Sequence, residues 1–379
     1  MAGGISKPRQ IGLVIGGSGL VGGCLVHHFK TRRAGEYEVL APNSKKLSLV
    51  APGDIADYLQ EHRPAFIVNA AIAAIDSDPQ LAFEVNYQGA INLARAALAL
   101  GIPYIHISSS ATLPNGDDLR EEDRLPLGAG LGNYAKSKLM AELTLGHLHR
   151  RHGLDVTILR LAIVYGEHDH KIQGFHRLFF AIVNRALPLL FTRPGVMHSY
   201  TNVRKIPFLV DHLLEHRAEF SGQTYNVVDR NPVDLAQLIL TIKSYLELKT
   251  PREIYLPYPV ARVGKNCLQW LVRGLNRIGV EARMPGELMF LENFYCNQTL
   301  SAAKLEGSSF VDPEPEATVY TELPALIQYY LTRWEHLNLI RAYNPEFYDP
   351  RGRSDEFLHS PVKLLEETHH DLDKQVEAP

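Results

Sequence analysis

Ile11-Gly12-Leu13-Val14-Ile15-Gly16-Gly17-Ser18-Gly19-Leu20-Val21-Gly22 is the stretch from which the fold is read. Its apolar run is continuous rather than alternating, which predicts a strand buried on both faces. The glycines then form a turn, and Leu20–Lys30 continues with apolar residues at helical spacing. A strand, a bare turn and a helix start aim backbone N–H groups at one point, with the positive helix end behind them. Glycine at 16 and 19 lets a pyrophosphate approach, Ser18 lies within the turn, and Gly22 lets the helix pack close to the sheet. The spacing is G-x-x-G-x-x-G.

Outward from that stretch the same alternation repeats. Tyr37–Leu40, Ala65–Asn69, Tyr104–Ser108 and Val156–Leu161 read as buried strands, and Ala51–His62, Pro79–Ala99 and Tyr134–Arg150 as the helices between them. Strand–helix–strand repetition predicts an α/β fold, a doubly wound parallel Rossmann sheet over residues 1–165. After Gly166 the alternation stops. Residues 166–343 read as a smaller C-terminal substrate-binding lobe with helices at Phe175–Leu187, Leu235–Leu248 and Leu323–His336. A strand near 224–228 is expected to return to the main sheet. Residues 344–379, charged and bearing histidines and prolines, read as a loosely held tail.

The end of the second strand bears on the ligand. An acid there binds the ribose hydroxyls of a dinucleotide, but here the place falls on Ala41, followed by Pro42, Asn43, Ser44, Lys45 and Lys46. A hydroxyl and two ammonium groups suit a 2′-phosphate, so NADP is preferred over NAD. The alternative is that both lysines are merely solvated.

The fourth strand ends in Ser108-Ser109-Ser110-Ala111-Thr112, and Tyr134-Ala135-Lys136-Ser137-Lys138 opens a helix. Tyr134 and Lys138, four apart, share a face. A phenol near pKa 10 becomes a useful acid–base group when an ammonium lies beside it. A strand-end serine, Ser110, can hold the substrate oxygen. A second Tyr-x-x-x-Lys, Tyr245 with Lys249, follows Ser221, but that serine precedes a strand and so falls at the wrong sheet edge.

Composition narrows the rest. The 379 residues carry 39 Lys+Arg against 42 Asp+Glu, a balance that excludes a broad nucleic-acid surface. Three scattered cysteines fit a reducing compartment, and Cys24 reads as a small core residue. The Gly-rich start is no signal peptide, and no apolar run is long enough to span a membrane, so a cytoplasmic location is expected. The histidine clusters lack accompanying ligands, so no metal is expected.

With these motifs in order, the sequence resembles the extended short-chain dehydrogenase/reductase, or NAD(P)-dependent epimerase/dehydratase, family. The resemblance is carried over about residues 1–230 by the glycine turn, Asn69-Ala70-Ala71, Val85-Asn86, Ser108–Thr112, Tyr134 with Lys138, and Arg160–Gly166. It implies that Gly16, Gly19, Leu20 and Val21 meet the pyrophosphate, that Ser48 and Leu49 sit on the adenine side, and that Ala70 and Ala71 line the cofactor with Asn86 in support. Ser110, Tyr134 and Lys138 would be the catalytic triad, Lys138 also holding the nicotinamide ribose, with Ile163 and Val164 flanking the ring. A homodimer through a two-helix face is a further implication.

Departures bear on the subfamily. Dehydratases carry an Asp-Glu pair after the catalytic hydroxyl, where this chain has Ala111 and Thr112. Epimerases commonly carry Arg-Asp-Tyr where this chain has His198-Ser199-Tyr200. Arg63–Asn69 is similar to dTDP-4-dehydrorhamnose reductases. The C-terminal half, with Leu256-Pro257-Tyr258-Pro259 before an amphipathic stretch, resembles the 3β-hydroxysteroid dehydrogenase-like branch. Residues 256–280 would then cap a lipophilic substrate and touch a membrane as a peripheral contact, or else pack as an ordinary lid helix. The resulting expectation is an oxidoreductase interconverting a ketone and a secondary alcohol on a small-molecule substrate of sterol, isoprenoid or long-chain type. The alternatives are a nucleotide-sugar reductase or C4 epimerase, and a non-catalytic NADP-binding sensor.

Overall fold

The computed structural model describes residues 8–184, 189–190, 195–248, 252–253, 257–277, 295–337, 339–340 and 357–377. The glycine stretch forms β1 (Gln10–Ile15) and α1 (Leu20–Arg32), as its pattern requires. β2 (Tyr37–Leu40), β3 (Phe66–Asn69), β4 (Tyr104–Ser109) and β6 (Val156–Leu161) follow, with the short β5 (Gly116–Leu119) between the last two. The main sheet has six strands, all parallel, and the strand Thr224–Val227 closes its edge beside β6.

Side chains alternate across each strand, and the two faces hold separate cores. Val14, Val68 and Ile105 meet Leu25 and Phe29 of α1 and Leu209 and Leu213 of the helix Lys205–Glu215. Leu13, Ile15 and Ile67 face the other way, toward Ile55, Leu59, Leu93 and Leu145 on three further helices. Helices on both faces explain why β3 and β6 are buried at every position. The expected helix Pro79–Ala99 is divided: Ala82–Gln88 is π-helical between Pro79–Leu81 and Gly89–Leu100.

The lobe is organised around a third core. Phe175, Phe179, Leu238, Ile242, Leu326, Tyr330 and Trp334 are buried together. The helix carrying the last three runs Val319–His336, four residues earlier than its periodicity predicts, because Thr318 and Thr321 form a reciprocal capping box. A mixed sheet joins lobe and sheet domain in the order Val233–Asp234, Met197–His198, Gln298–Leu300 and β5. Strands of two to four residues carry no readable period, so none of these was expected. Within the expected tail, Pro361–Glu377 is a helix, opened by a proline at its first position, where the missing N–H costs nothing; residues 344–356 and 378–379 lie outside the described residues.

Candidate active site

The glycine turn owes its shape to backbone geometry. Gly16 has φ +83°, and a Cβ there would lie 2.6 Å from the Ala70 carbonyl oxygen. Gly16 therefore serves the turn and the neighbouring strand rather than the ligand. A Cβ on Gly22 would overlap the Gly16 carbonyl. Gly19 is the helix N-cap; it offers no side-chain cap, and no acid stands in the first turn. The amides that open α1 thus face a cavity of about 540 Å³ lined by Gly19, Leu20, Val21 and Gly22. Ser18 is exposed and lies outside that lining.

Other expected cofactor residues divide in the same way. Ala70, Ala71, Ile163 and Val164 line the cavity. Asn86 is buried behind it, its Oδ1 accepting from the Ala73 N–H at 2.9 Å and its Nδ2 donating to Ser137 Oγ at 3.2 Å. Asn43 Oδ1 accepts from the Lys45 and Lys46 N–H groups, giving an exposed turn with Ser44 at the end of β2. Ser48 is half-buried, and Leu49 packs against the helix bearing Asn92, whose Nδ2 donates to the Leu49 carbonyl at 2.9 Å. Asn43, Ser44, Lys45, Ser48 and Leu49 are not brought to the cavity wall.

The helix Asn133–His152 carries Tyr134, Lys138 and Glu142 at successive four-residue steps. Lys138 is 2% exposed and donates to the Ile107 carbonyl at 2.9 Å. Burial brings its pKa down to about 8, against the opposing pull of Glu142. Burial raises the pKa of Tyr134, and a hydrogen bond with Ser109 opposes the rise. Ser109 Oγ also accepts from the Ala111 N–H at 3.2 Å, leaving its own proton for the phenol oxygen. Ser110 lines the cavity, but its hydroxyl turns to Gln298 Oε1 at 3.5 Å. Of the three consecutive serines, Ser109 is the one whose hydroxyl moderates the Tyr134 pKa, while Ser110 lines the same cavity.

Residues 12–227, more than half of the chain, match the family described as "NAD dependent epimerase/dehydratase family". The chain belongs to this family. An undecaprenol-linked relative, N-acetyl-alpha-D-glucosaminyl-diphospho-ditrans,octacis-undecaprenol 4-epimerase of Escherichia coli O157:H7, is 23% identical over 241 residues, 62% of this chain and 69% of its own length. The dTDP-4-dehydrorhamnose reductase of Sinorhizobium fredii is 31% identical over 148 residues, 38% of this chain and 48% of that protein. Methionine adenosyltransferase 2 subunit beta of Xenopus tropicalis is 26% identical, with 46% of this chain and 53% of that one covered. The chain thus spans about half the length of the last two. Among solved structures, dTDP-glucose 4,6-dehydratase from Bacillus anthracis in complex with NAD has a TM-score of 0.62 at 17% identity, covering 86% of this chain and 98% of that one. The dTDP-4-dehydrorhamnose reductase of the same organism with NADP has a TM-score of 0.58 at 18% identity, covering 80% and 95%.

An epimerase/dehydratase-family protein binds NAD or NADP, and the residues here fit such a dinucleotide. The glycine cradle excludes any Cβ at 16 and 22, the first amides of α1 are uncapped, and a buried ammonium reaches the same cavity. Three features escaped the sequence reading. Gln298 enters from the lobe, its Nε2 donating to the carbonyls of Ser110, Leu113 and Pro114 at 3.3–3.4 Å. Glu142 forms a buried ion pair with Arg160 and accepts from Ser108 Oγ at 2.6 Å and Thr112 Oγ1 at 3.2 Å. Lys171 and Arg177 lie on the cavity wall with His198. Nothing in the local sequence marks Gln298, Glu142, Lys171 or Arg177, since only the tertiary fold assembles them, whereas His198 was already singled out by the comparison with Arg-Asp-Tyr.

Tyr245 is exposed at its helix end, away from the cavity, and Lys249 lies outside the described residues. Burial pushes the Cys24 thiol up to about 11, which suits an inert core residue. The steroid-dehydrogenase-like reading of the C-terminal half is not supported. The family match ends at residue 227, and no residue of the helix Tyr258–Arg277 lines the cavity. That helix is not a lid with its stripe held inside: Val263, Trp270 and Leu271 point to solvent. Among the described residues no helix is long and apolar enough to cross a membrane.

Proposed function

We propose that the protein uses a nicotinamide dinucleotide to interconvert a secondary alcohol and a ketone on a diphosphate-linked sugar, as a reductase or a C4 epimerase. The observation that carries this is the sharing of one cavity by Ser109, Ser110, Tyr134, Lys138 and the bare amides of the glycine turn. The nicotinamide, when bound, supplies or accepts the hydride. Tyr134, kept neutral by burial, donates its proton to the substrate oxygen in reduction and takes it back in oxidation. Ser109 steadies the phenol oxygen, Ser110 offers a hydroxyl to the substrate, and Lys138 favours the phenolate as it forms. Dehydration is not proposed, because neither Ala111 nor Thr112 is an acid and the Thr112 hydroxyl is engaged with the Ser109 carbonyl and Glu142.

The sugar-diphosphate assignment draws support from Lys171 and Arg177, cations suited to a diphosphate. The names of the epimerase and reductase relatives point the same way. A second reading, reduction of an unphosphorylated lipophilic ketone, is favoured by Ile72, Ile75, Phe175, Leu178 and Leu235 in the same lining. A panel of nucleotide sugars, polyprenyl-diphosphate sugars and lipophilic ketones separates the two, followed by reduced-nicotinamide absorbance and by product chromatography for redox-neutral epimerisation. Turnover of lipophilic ketones alone would overturn the sugar reading. Tyr134→Phe is expected to bind cofactor normally and lose roughly 10²–10⁴-fold in turnover. Undiminished turnover in that variant, or none in the wild type with any substrate, would favour a non-catalytic binder.

NADP(H) is the proposed cofactor, because the end of β2 offers Ser44, Lys45 and Lys46 and no carboxylate. Fluorescence titration should give tighter binding of NADPH than of NADH, and Lys45→Glu with Lys46→Glu should reverse the order. Tighter NADH binding by the wild type would reject the assignment.

A further inference from the structure

The helix Tyr258–Arg277 presents two different faces. Tyr258 and Ala261 pack on the lobe core, and Leu268, Val272 and Leu275 are half-buried. Val260, Val263, Cys267, Trp270 and Leu271 recur at three- and four-residue spacing on another face and are exposed, Trp270 by 79%, Val263 by 60% and Leu271 by 58%. The only other tryptophan, Trp334, is 1% exposed in the core, so a large aromatic left in water is not the habit of this fold. In a chain with more acidic than basic residues, these twenty residues contain Arg262, Lys265, Arg273 and Arg277 and no Asp or Glu. The exposed Arg277 borders the apolar stripe, and the exposed Arg262 lies further round the same helix.

We infer that the helix Tyr258–Arg277 docks the protein onto an anionic lipid surface, lying in the plane of the interface. A second copy is disfavoured, because the one-signed charge of the helix would repel its own copy. A negatively charged bilayer answers both features, since Trp270, Val263 and Leu271 enter the headgroup boundary while the arginines stay at the phosphates. The helix Pro361–Glu377, amphipathic and largely exposed over residues 361–370, carries Glu366, Glu367, Asp371 and Asp373 in its sequence and is not suited to that surface. The docking reading is independent of the proposed reaction, because none of these side chains lines the cavity.

The test uses the full chain with vesicles of phosphatidylcholine alone or of equal parts phosphatidylcholine and phosphatidylglycerol. Cosedimentation with the anionic vesicles only, lost at high salt and accompanied by a blue shift of tryptophan emission, is the expected result. Trp334 is buried throughout and Trp270 is the reporter. Trp270→Ser with Val263→Ser should weaken partitioning by about tenfold or more, and Arg262→Glu with Arg277→Glu should also weaken it. Both variants change exposed groups, and NADPH titration checks that they remain folded. A wild type that stays in the supernatant with unchanged emission overturns the proposal. So does binding that survives Trp270→Ser/Val263→Ser, or a self-association in sedimentation velocity that alone accounts for the shielding of Trp270.

Discussion

Lys138 is an ammonium held where water scarcely reaches, and its energetics follow from that position. In the unfolded chain it titrates near 10.5, in the folded protein at about 8. Between those values the unfolded chain holds a proton that the folded one lacks, so folding stability rises with pH across that window. Below about pH 8 both states are charged and the cost of burial is borne in full. The gain from bottom to top of the window is about 3 kcal/mol at 1.36 kcal/mol per unit. Denaturant unfolding of the wild type should show this rise, and Lys138→Met should not; identical slopes in the two proteins would refute the assignment. The identity of the lysine was legible from its spacing to Tyr134. The serine was not, because Ser108, Ser109 and Ser110 are indistinguishable until the strand end and the following turn fix which hydroxyl meets the phenol.

At the scale of elements, the glycine turn and α1 were legible because backbone geometry leaves little choice. A Cβ at Gly22 meets backbone atoms of Gly16 and Gly17 that cannot move aside, whereas one at Gly23 meets only Gly17 oxygen at 3.6 Å, an ordinary contact. Gly22→Ala is therefore expected to cost about 1–3 kcal/mol of stability and to weaken NADPH binding markedly as the turn shifts. Gly23→Ala, inside the same helix, is expected to gain about 0.5–1 kcal/mol from helix propensity alone. Thermal melts and NADPH titration of the pair check both halves; equal effects at the two positions would mean that the turn tolerates displacement. The helix Tyr258–Arg277 shows the opposite lesson. Its period announced an amphipathic helix, but period alone does not say whether the apolar stripe faces a core or solvent.

At the scale of the molecule, the lobe lines much of the cavity and meets the end of β4 through the Gln298 carboxamide. The strand Gln298–Leu300 pairs with β5 and with Met197–His198, and this pairing brings Gln298 to the carbonyls that follow Ser110. Gln298→Ala should lower turnover by about tenfold, the net worth of one or two well-formed neutral hydrogen bonds, since its four contacts are all long, with NADPH affinity unchanged because the glycine turn is untouched. Steady-state kinetics and titration distinguish this from general unfolding, and an unaltered turnover number would deny the residue any positioning role.

The sequence by itself determined the doubly wound sheet, the glycine turn and the Tyr134–Lys138 pair. Each is set by local rules: buried strand runs, a positive φ that only glycine accepts without strain, and four-residue helical spacing. Tertiary structure alone decided that Ser109 meets the phenol, that Gln298, Lys171 and Arg177 join the cavity, and that the stripe bearing Trp270 faces outward. These depend on contacts between segments far apart in the chain, and local patterning carries no record of which distant surface a side chain will meet.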